Sequence, residues 1–188
     1  MVQTASTSIT LDTFLAQPET KPAYEFVDGT ITQKPMPQGQ HSTLQGELVS
    51  AINAITKPSR LAWAFPELRC TFGDRSIVPD ITVFTWTRLP TNDDGTIANQ
   101  FMTYPDWTIE ILSPNQSSTR VISNLLHCLD HGTQLGWLMD PNERLIFTYA
   151  PNQQPQVFDH GDDRLPVPTF ATDLHLTLAQ VWNWLRVN

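Results

Sequence analysis

Charge is what this sequence has least of. Asp, Glu, Lys and Arg together make up 16% of its 188 residues, well under the roughly 25% usual for soluble domains. Basic residues are scarcer still: 11 Lys and Arg stand against 19 Asp and Glu, a formal charge of −8. Composition therefore argues against an extended polybasic face, and a nucleic acid would have to be met through a local basic patch. Cysteine is nearly absent. Cys70 and Cys128 form no CxxC pair and no metal spacing; one disulfide stays open, but a stapled secreted scaffold is excluded. The eight glycines are scattered and build neither GxGxxG nor GxxxxGK, which removes the usual nucleotide-binding loops and any organic cofactor they would hold. No run approaches 18 apolar residues, so no transmembrane helix is expected. The opening MVQTASTSIT has neither a basic segment nor an apolar core, so no signal peptide is expected and a cytoplasmic, reduced location is the default.

What is present is apolar and aromatic. Hydrophobic residues reach 40%, with six Trp and nine Phe, enough for one complete core in a chain of this length. A single domain over 10–188 is expected after a flexible tail over 1–9. Self-association, most simply as a homodimer, is a reasonable use for spare apolar surface.

The chain alternates between two periods. Thr10 can cap a short helix over 11–16 that stops at Pro18. YEFVDGTITQKP reads as a hairpin turning at Asp28-Gly29. Ser42 and Gln45 have capping-box spacing and predict a helix over 43–56; its apolar stripe is Leu44, Leu48, Ala51, Ile52 and Ile55, and Lys57-Pro58 ends it. From Leu61 to Trp86 the period is two, and WAFPELRCTF with SIVPDITVFTW reads as a pair of adjacent antiparallel strands. The stretch 88–104 is a surface loop. DWTIEIL is a strand, 117–131 a helix, and GWLMD and LIFTYA are strands joined at Pro141-Asn142. QPQVF adds another. Thr177 and Gln180 cap a closing amphipathic helix. Together these predict an α/β fold with a mixed central sheet flanked by helices.

Two carboxylates do not fit an apolar sheet. Asp80 lies in IVPDITVF on the face of Val78, Thr82 and Phe84; Glu110 lies in WTIEIL on the face of Thr108 and Leu112. Such residues must be paired, hydrogen-bonded or metal-bound. If they meet, a divalent cation is a natural way to keep both ionised, and Mg2+ favours one or two carboxylates plus water and phosphate. The competing reading is an Arg partner for Glu110, or a solvent-facing position for either acid. Glu67, in AFPELRC, either joins the cluster or pairs with Arg69 or Arg75. Glu47 borders the stripe of its helix, where it could orient water, satisfy a strand end or be an ordinary boundary residue. Arg120, Asn124, His127 and His131 recur four, three and four apart and share one stripe, opposite Val121, Leu125, Cys128 and Leu129. That stripe is either a solvated face or one that brings Arg120 or His127 to a phosphate near Glu110. Ser113 has no G-x-S-x-G context, so a nucleophilic triad is not supported.

In combination, FPELRCTFGDRSIVPDITVF, DWTIEILSPNQSS and HGTQLGWLMDP, preceded by YEFVDGTI, resemble the Uma2 family of restriction-endonuclease-like proteins. The likeness runs from about Tyr24 to Tyr149. It implies the PD-(D/E)XK nuclease fold, a restriction-endonuclease-like core with Mg2+ (or Mn2+) as cofactor and DNA as partner. Under that resemblance Asp80 and Glu110 are the metal-binding acids, the backbone carbonyl of Ile111 is a further ligand, Glu47 is the helix-borne accessory acid and Glu67 a further candidate ligand.

The sequence departs from the family where a lysine is expected. Two residues after the second acid stands Leu112, and the alternative position on the next helix is Asn124, which carries no positive charge. Arg120, one turn upstream, could face a phosphate but is a poor proton acceptor, and His127 could titrate near neutrality. The resemblance implies a Mg2+-dependent DNA endonuclease acting through Asp80, Glu110, Glu47, Arg120 and His127. The alternative is a catalytically impaired module of the same fold that binds or self-associates, with Trp182 and Trp184 lining a dimer surface.

Overall fold

The computed structural model describes residues 9–114 and 116–187; the expected tail over 1–9 lies, apart from Ile9, outside them. Two sheets and four α-helices form a mixed α/β architecture with a restriction-endonuclease-like core. The larger sheet has the order β10-β9-β8-β7-β6-β3. These strands are β3 (Ala62–Pro66), β6 (Ile81–Thr85), β7 (Trp107–Ile111), β8 (Leu135–Asp140), β9 (Leu145–Tyr149) and β10 (Gln156–Phe158). Only β7 and β8 pair in parallel; the other neighbours are antiparallel. A parallel pair needs a crossover, and α3 (Ser118–Asp130) supplies it. The smaller, antiparallel sheet has the order β2-β1-β5-β4, from β1 (Tyr24–Val27), β2 (Thr30–Gln33), β4 (Cys70–Phe72) and β5 (Arg75–Ile77).

The run from Leu61 to Trp86 is therefore four strands in two sheets, a correction to the single strand pair expected from its period. The strand breaks at Glu67, whose φ is 45°, and again at Val78-Pro79 before β6. β3 and β6 stay in the large sheet, whereas β4 and β5 turn at Gly73 into the small one. Alternation specifies which residues share a face but not whether the ladder continues.

Burial follows the sheet faces. On one face of the large sheet, Leu44, Leu48 and Ile52 of α2 (Gly39–Thr56) pack over Ile81, Val83, Ile109 and Ile111; each such side chain contributes about 1.5–3 kcal/mol. The same core takes Val181 and Trp182 from α4 (Leu178–Asn183). Trp182, expected on a dimer surface, is buried in this core, and Trp184 is half-buried against it. The other face is covered by Val121 and Leu125 of α3 and, beside them, by Cys70, Phe72 and Ile77 of the small sheet. Both cysteines are free and buried. No helix among the described residues is long and apolar enough to cross a membrane.

Helix α2 begins at Gly39, four residues before the expected start, with Gln38 as N-cap and no side-chain capping bond. The expected Ser42–Gln45 box does not form, because Ser42 lies inside the helix and its N–H already donates to Gln38 O. At the other end of the chain, the Thr177–Gln180 box is present. The edge strand β3 is closed by a side chain: Asn53 Nδ2 donates to Ala64 O at 3.0 Å and Asn53 Oδ1 accepts from Ala64 N–H at 2.9 Å.

Candidate active site

Ile81 stands opposite Ile109 and Thr82 opposite Thr108 across β6 and β7. Continued by one residue, that register sets Asp80 against Glu110, on the face turned toward α3 and the small sheet. Both are buried, at 2% and 3% exposure, so each needs partners. Asp80 has them on both carboxylate oxygens and on its backbone carbonyl. Its Oδ1 accepts from Lys34 Nζ at 2.7 Å, and its Oδ2 accepts from the Ile111 backbone N–H at 2.7 Å and faces His41 Nε2 at 3.1 Å. Its backbone carbonyl accepts from Gln45 Nε2 at 2.7 Å and from Glu67 N–H at 3.0 Å. The Gln45 amide that failed to cap α2 holds the chain at the acid instead.

Lys34 was not among the residues singled out from the sequence. It follows β2 directly, and its ammonium also donates to Val78 O at 2.6 Å and lies 3.5 Å from Glu110 Oε2. A fourth buried acid-site residue, Glu25 on β1, accepts from Val78 N–H at 2.8 Å and, at 3.4 Å, from Asn124 Nδ2. Strands from two sheets and side chains from two helices thus converge on one cluster. Its signal in the sequence was faint: Glu25 is a carboxylate between aromatic β-formers, and Lys34 lies between a strand and a proline.

Three carboxyls, Glu25, Asp80 and Glu110, surround one ammonium. Burial alone pushes the Asp80 carboxyl up, but the Lys34 charge and hydrogen bonds from His41 and Lys34 outweigh it and hold it well below its ordinary range. Glu110 goes the other way. Burial raises it, Lys34 opposes, and the Asp80 and Glu25 charges with a hydrogen bond to Asp80 add to the rise, leaving it well above a usual glutamate. Burial lowers Lys34, yet Asp80, Glu110 and Glu25 more than compensate and keep it charged. The two acids are thus driven apart, Asp80 downward and Glu110 upward.

The remaining expected residues scatter. Arg120 is exposed and lines the cleft that Glu25, Lys34, Glu110 and Asn124 also line. Asn124 is buried, and its Oδ1 has no hydrogen-bond partner among the described residues. Leu112 is half-buried in a neighbouring groove with His41. Glu47 lies on the exposed side of α2; the polar residues of that helix that reach Asp80 are His41 and Gln45, one turn apart. His127 is turned to the β4–β5 hairpin, where its ring stacks on Phe72 at 4.8 Å and its Nε2 lies 3.1 Å from Phe72 O. Burial there lowers its pKa. Glu67 is exposed and meets Asp80 through its backbone; its side chain lines a separate groove beside Lys34. Arg69 and Arg75, its expected alternatives, pair with Glu19 and Asp28.

The donor set fits a divalent cation. Oxygen ligands predominate and three carboxyls outnumber one ammonium, so a cation would relieve the burial and like-charge repulsion that raise Glu110. Among the described residues, a different trio, Asp159, His160 and Asp163, brings its ligand atoms within 4.8 Å of one another. It lies in the loop after β10, and Asp163 Oδ2 accepts from the N–H groups of Asp159 and His160 at 3.2 and 2.9 Å. Those bonds make it a loop staple.

A mixed sheet flanked by helices, carrying a buried acid pair and a lysine at one strand end, defines a restriction-endonuclease-like protein. The chain belongs to the Uma2 family, whose description is "Putative restriction endonuclease" and whose model matches residues 11–179. The fold is also similar to the crystal structure of "a putative nuclease belonging to DUF820 from Anabaena variabilis ATCC 29413", with a TM-score of 0.94 and 59% sequence identity. That match covers 95% of this chain and 99% of the other. None of the curated proteins matches.

Proposed function

We propose that this protein is a divalent-metal-dependent nuclease that hydrolyses phosphodiester bonds in DNA, with Mg2+ or Mn2+ as the cation. The observation that carries this reading is the buried pair Asp80 and Glu110 on adjacent strands, with more carboxyls than cations around it. Asp80, Glu110 and the Ile111 backbone carbonyl would hold the cation. When bound, such an ion acidifies water and offsets charge that develops on the phosphate.

The protein's own residues do the rest. Ile111 N–H and His41 fix the Asp80 carboxylate, and Gln45 fixes its backbone. Glu25 anchors Val78, whose carbonyl receives Lys34. Arg120, exposed on the rim of the same cleft, is placed to receive a substrate phosphate. The rival reading, an impaired binding module, drew its force from Leu112 and Asn124. A lysine beside both acids weakens that ground and favours hydrolysis.

The test is incubation with plasmid and single-stranded DNA in Mg2+ or Mn2+, with and without a chelator, beside Asp80→Ala. Cleavage that needs the cation and is lost in the variant is the expected result. Equal inertness of wild type and variant on every substrate would sink the proposal.

A further inference from the structure

We infer that Lys34 is the phosphate-facing cation of this site, delivered from the β2–α2 junction in place of a lysine at Leu112 or Asn124. The inference rests on the hydrolytic reading above and adds the residue that reading leaves open. Four observations carry it.

First, among the described residues Lys34 is the one Lys or Arg whose side chain contacts both acids, at 2.7 Å from Asp80 and 3.5 Å from Glu110. Second, the positions from which a cation would be expected hold none: Leu112 is apolar, and Asn124 is an uncharged amide whose Nδ2 faces Glu25 at 3.4 Å. Third, Lys34 lines the cleft that Glu110, Arg120 and Asn124 also line, so a phosphate reaching Glu110 through that cleft meets its ammonium. Fourth, its seat is built for a cation. Val78 O receives the ammonium, and Glu25 pins the N–H of that same residue.

The chemistry follows from charge. An ammonium held in a water-poor site stabilises charge developing on a phosphate more than it stabilises the ground state, and it needs no reorganisation to do so. Asp80 Oδ1 and Val78 O hold the Lys34 ammonium against the acids, so its position is set by the fold. Pro35 follows it immediately and fixes the backbone φ where the chain leaves the strand. Lys34 acts here as a fixed charge, so no proton transfer is assigned to it.

The experiment compares wild type with Lys34→Gln for DNA cleavage at saturating DNA, and for Mn2+ affinity by calorimetry. Lys34→Gln should lose about 10²–10³-fold in cleavage rate, the usual cost of one electrostatic donor. It should bind Mn2+ as tightly as wild type or more tightly, because a competing positive charge has gone. Cleavage within about threefold of wild type, or a loss of Mn2+ binding that parallels the loss of cleavage, overturns the inference; the second outcome would mean that Lys34 only organises the acids. Should Lys34→Gln not fold by circular dichroism, Lys34→Gln/Asn124→Lys decides, since it returns the charge from α3. Cleavage restored to within about tenfold supports the role, and an inert, folded, Mn2+-binding double variant overturns it. A wild type inert on all DNA defeats the hydrolytic reading and this inference with it. An active wild type matched by an active Lys34→Gln defeats only the inference.

Discussion

Glu110→Gln should stabilise the metal-free protein, and by an amount that grows with pH. Glu110 is 3% exposed and faces Asp80 and Glu25 as well as Lys34. Its folded pKa is raised above the unfolded value of 4.5, so the native state keeps a proton that the unfolded chain releases. Stability from this group is full below about pH 4.5 and falls as pH rises toward the folded pKa, by up to about 1.4 kcal/mol per pH unit for one proton. Two neighbours shift the opposite way at other pH values. Asp80, held low, adds stability that is present above its unfolded 3.8 and lost as pH falls. Lys34, held high, adds stability that is full below 10.5 and lost only above it. Between these limits neither Asp80 nor Lys34 adds a slope. Glutamine copies the protonated shape and removes the titration.

Urea unfolding of wild type and Glu110→Gln in chelator, at about pH 5, 6 and 7, measures this directly. The stability difference should widen in favour of the variant as pH rises, by no more than about 1.4 kcal/mol per unit. A difference constant with pH, or a variant less stable at neutral pH, would refute the upward shift of Glu110.

Mn2+ should raise the wild-type Tm more at pH 7.5 than at 5.5, because its binding displaces that proton; at a hundredfold excess over Kd the gain is about 2.7 kcal/mol. Differential scanning fluorimetry of wild type and Glu110→Gln checks this, and an equal gain in both proteins would count against metal binding at Glu110. Glu47→Ala should change stability by no more than about 0.5 kcal/mol and leave cleavage unchanged. Glu25→Ala should cost about 1–3 kcal/mol in chemical denaturation by stranding the Val78 N–H. Asn53→Ala removes both bonds to Ala64 and should cost about 1–3 kcal/mol. It also opens the β3 edge to pairing, so sedimentation velocity should show association that rises with concentration beyond that of wild type.

Much of this fold could be read from local pattern. The period-two runs marked Asp80 and Glu110 as polar residues on apolar strands, and the antiparallel register of β6 and β7 brings those two together. The stripe Leu44, Leu48 and Ile52 located the core face of α2 by helical spacing alone. Asp28-Gly29 announced its hairpin because a tight two-residue turn needs positive φ, and the two have φ of 50° and 76°.

Other residues could not be placed this way. Glu47 and Gln45 both border the α2 stripe, yet Gln45 is buried at Asp80 and Glu47 is exposed. Spacing says which residues flank a face; the rotation of the packed helix says which flank meets the strand ends. His127 shares a stripe with Arg120 and Asn124, but the long axis of α3 carries it past the cleft to Phe72. Lys34 is the clearest case. It is 46 residues from Asp80 in sequence, and a lysine before a proline looks like any loop residue. Sequence determined the two acids, because alternation is local. Only the docking of the small sheet on the large one decided that Lys34 stands between them, because charge complementarity across sheets has no period to read.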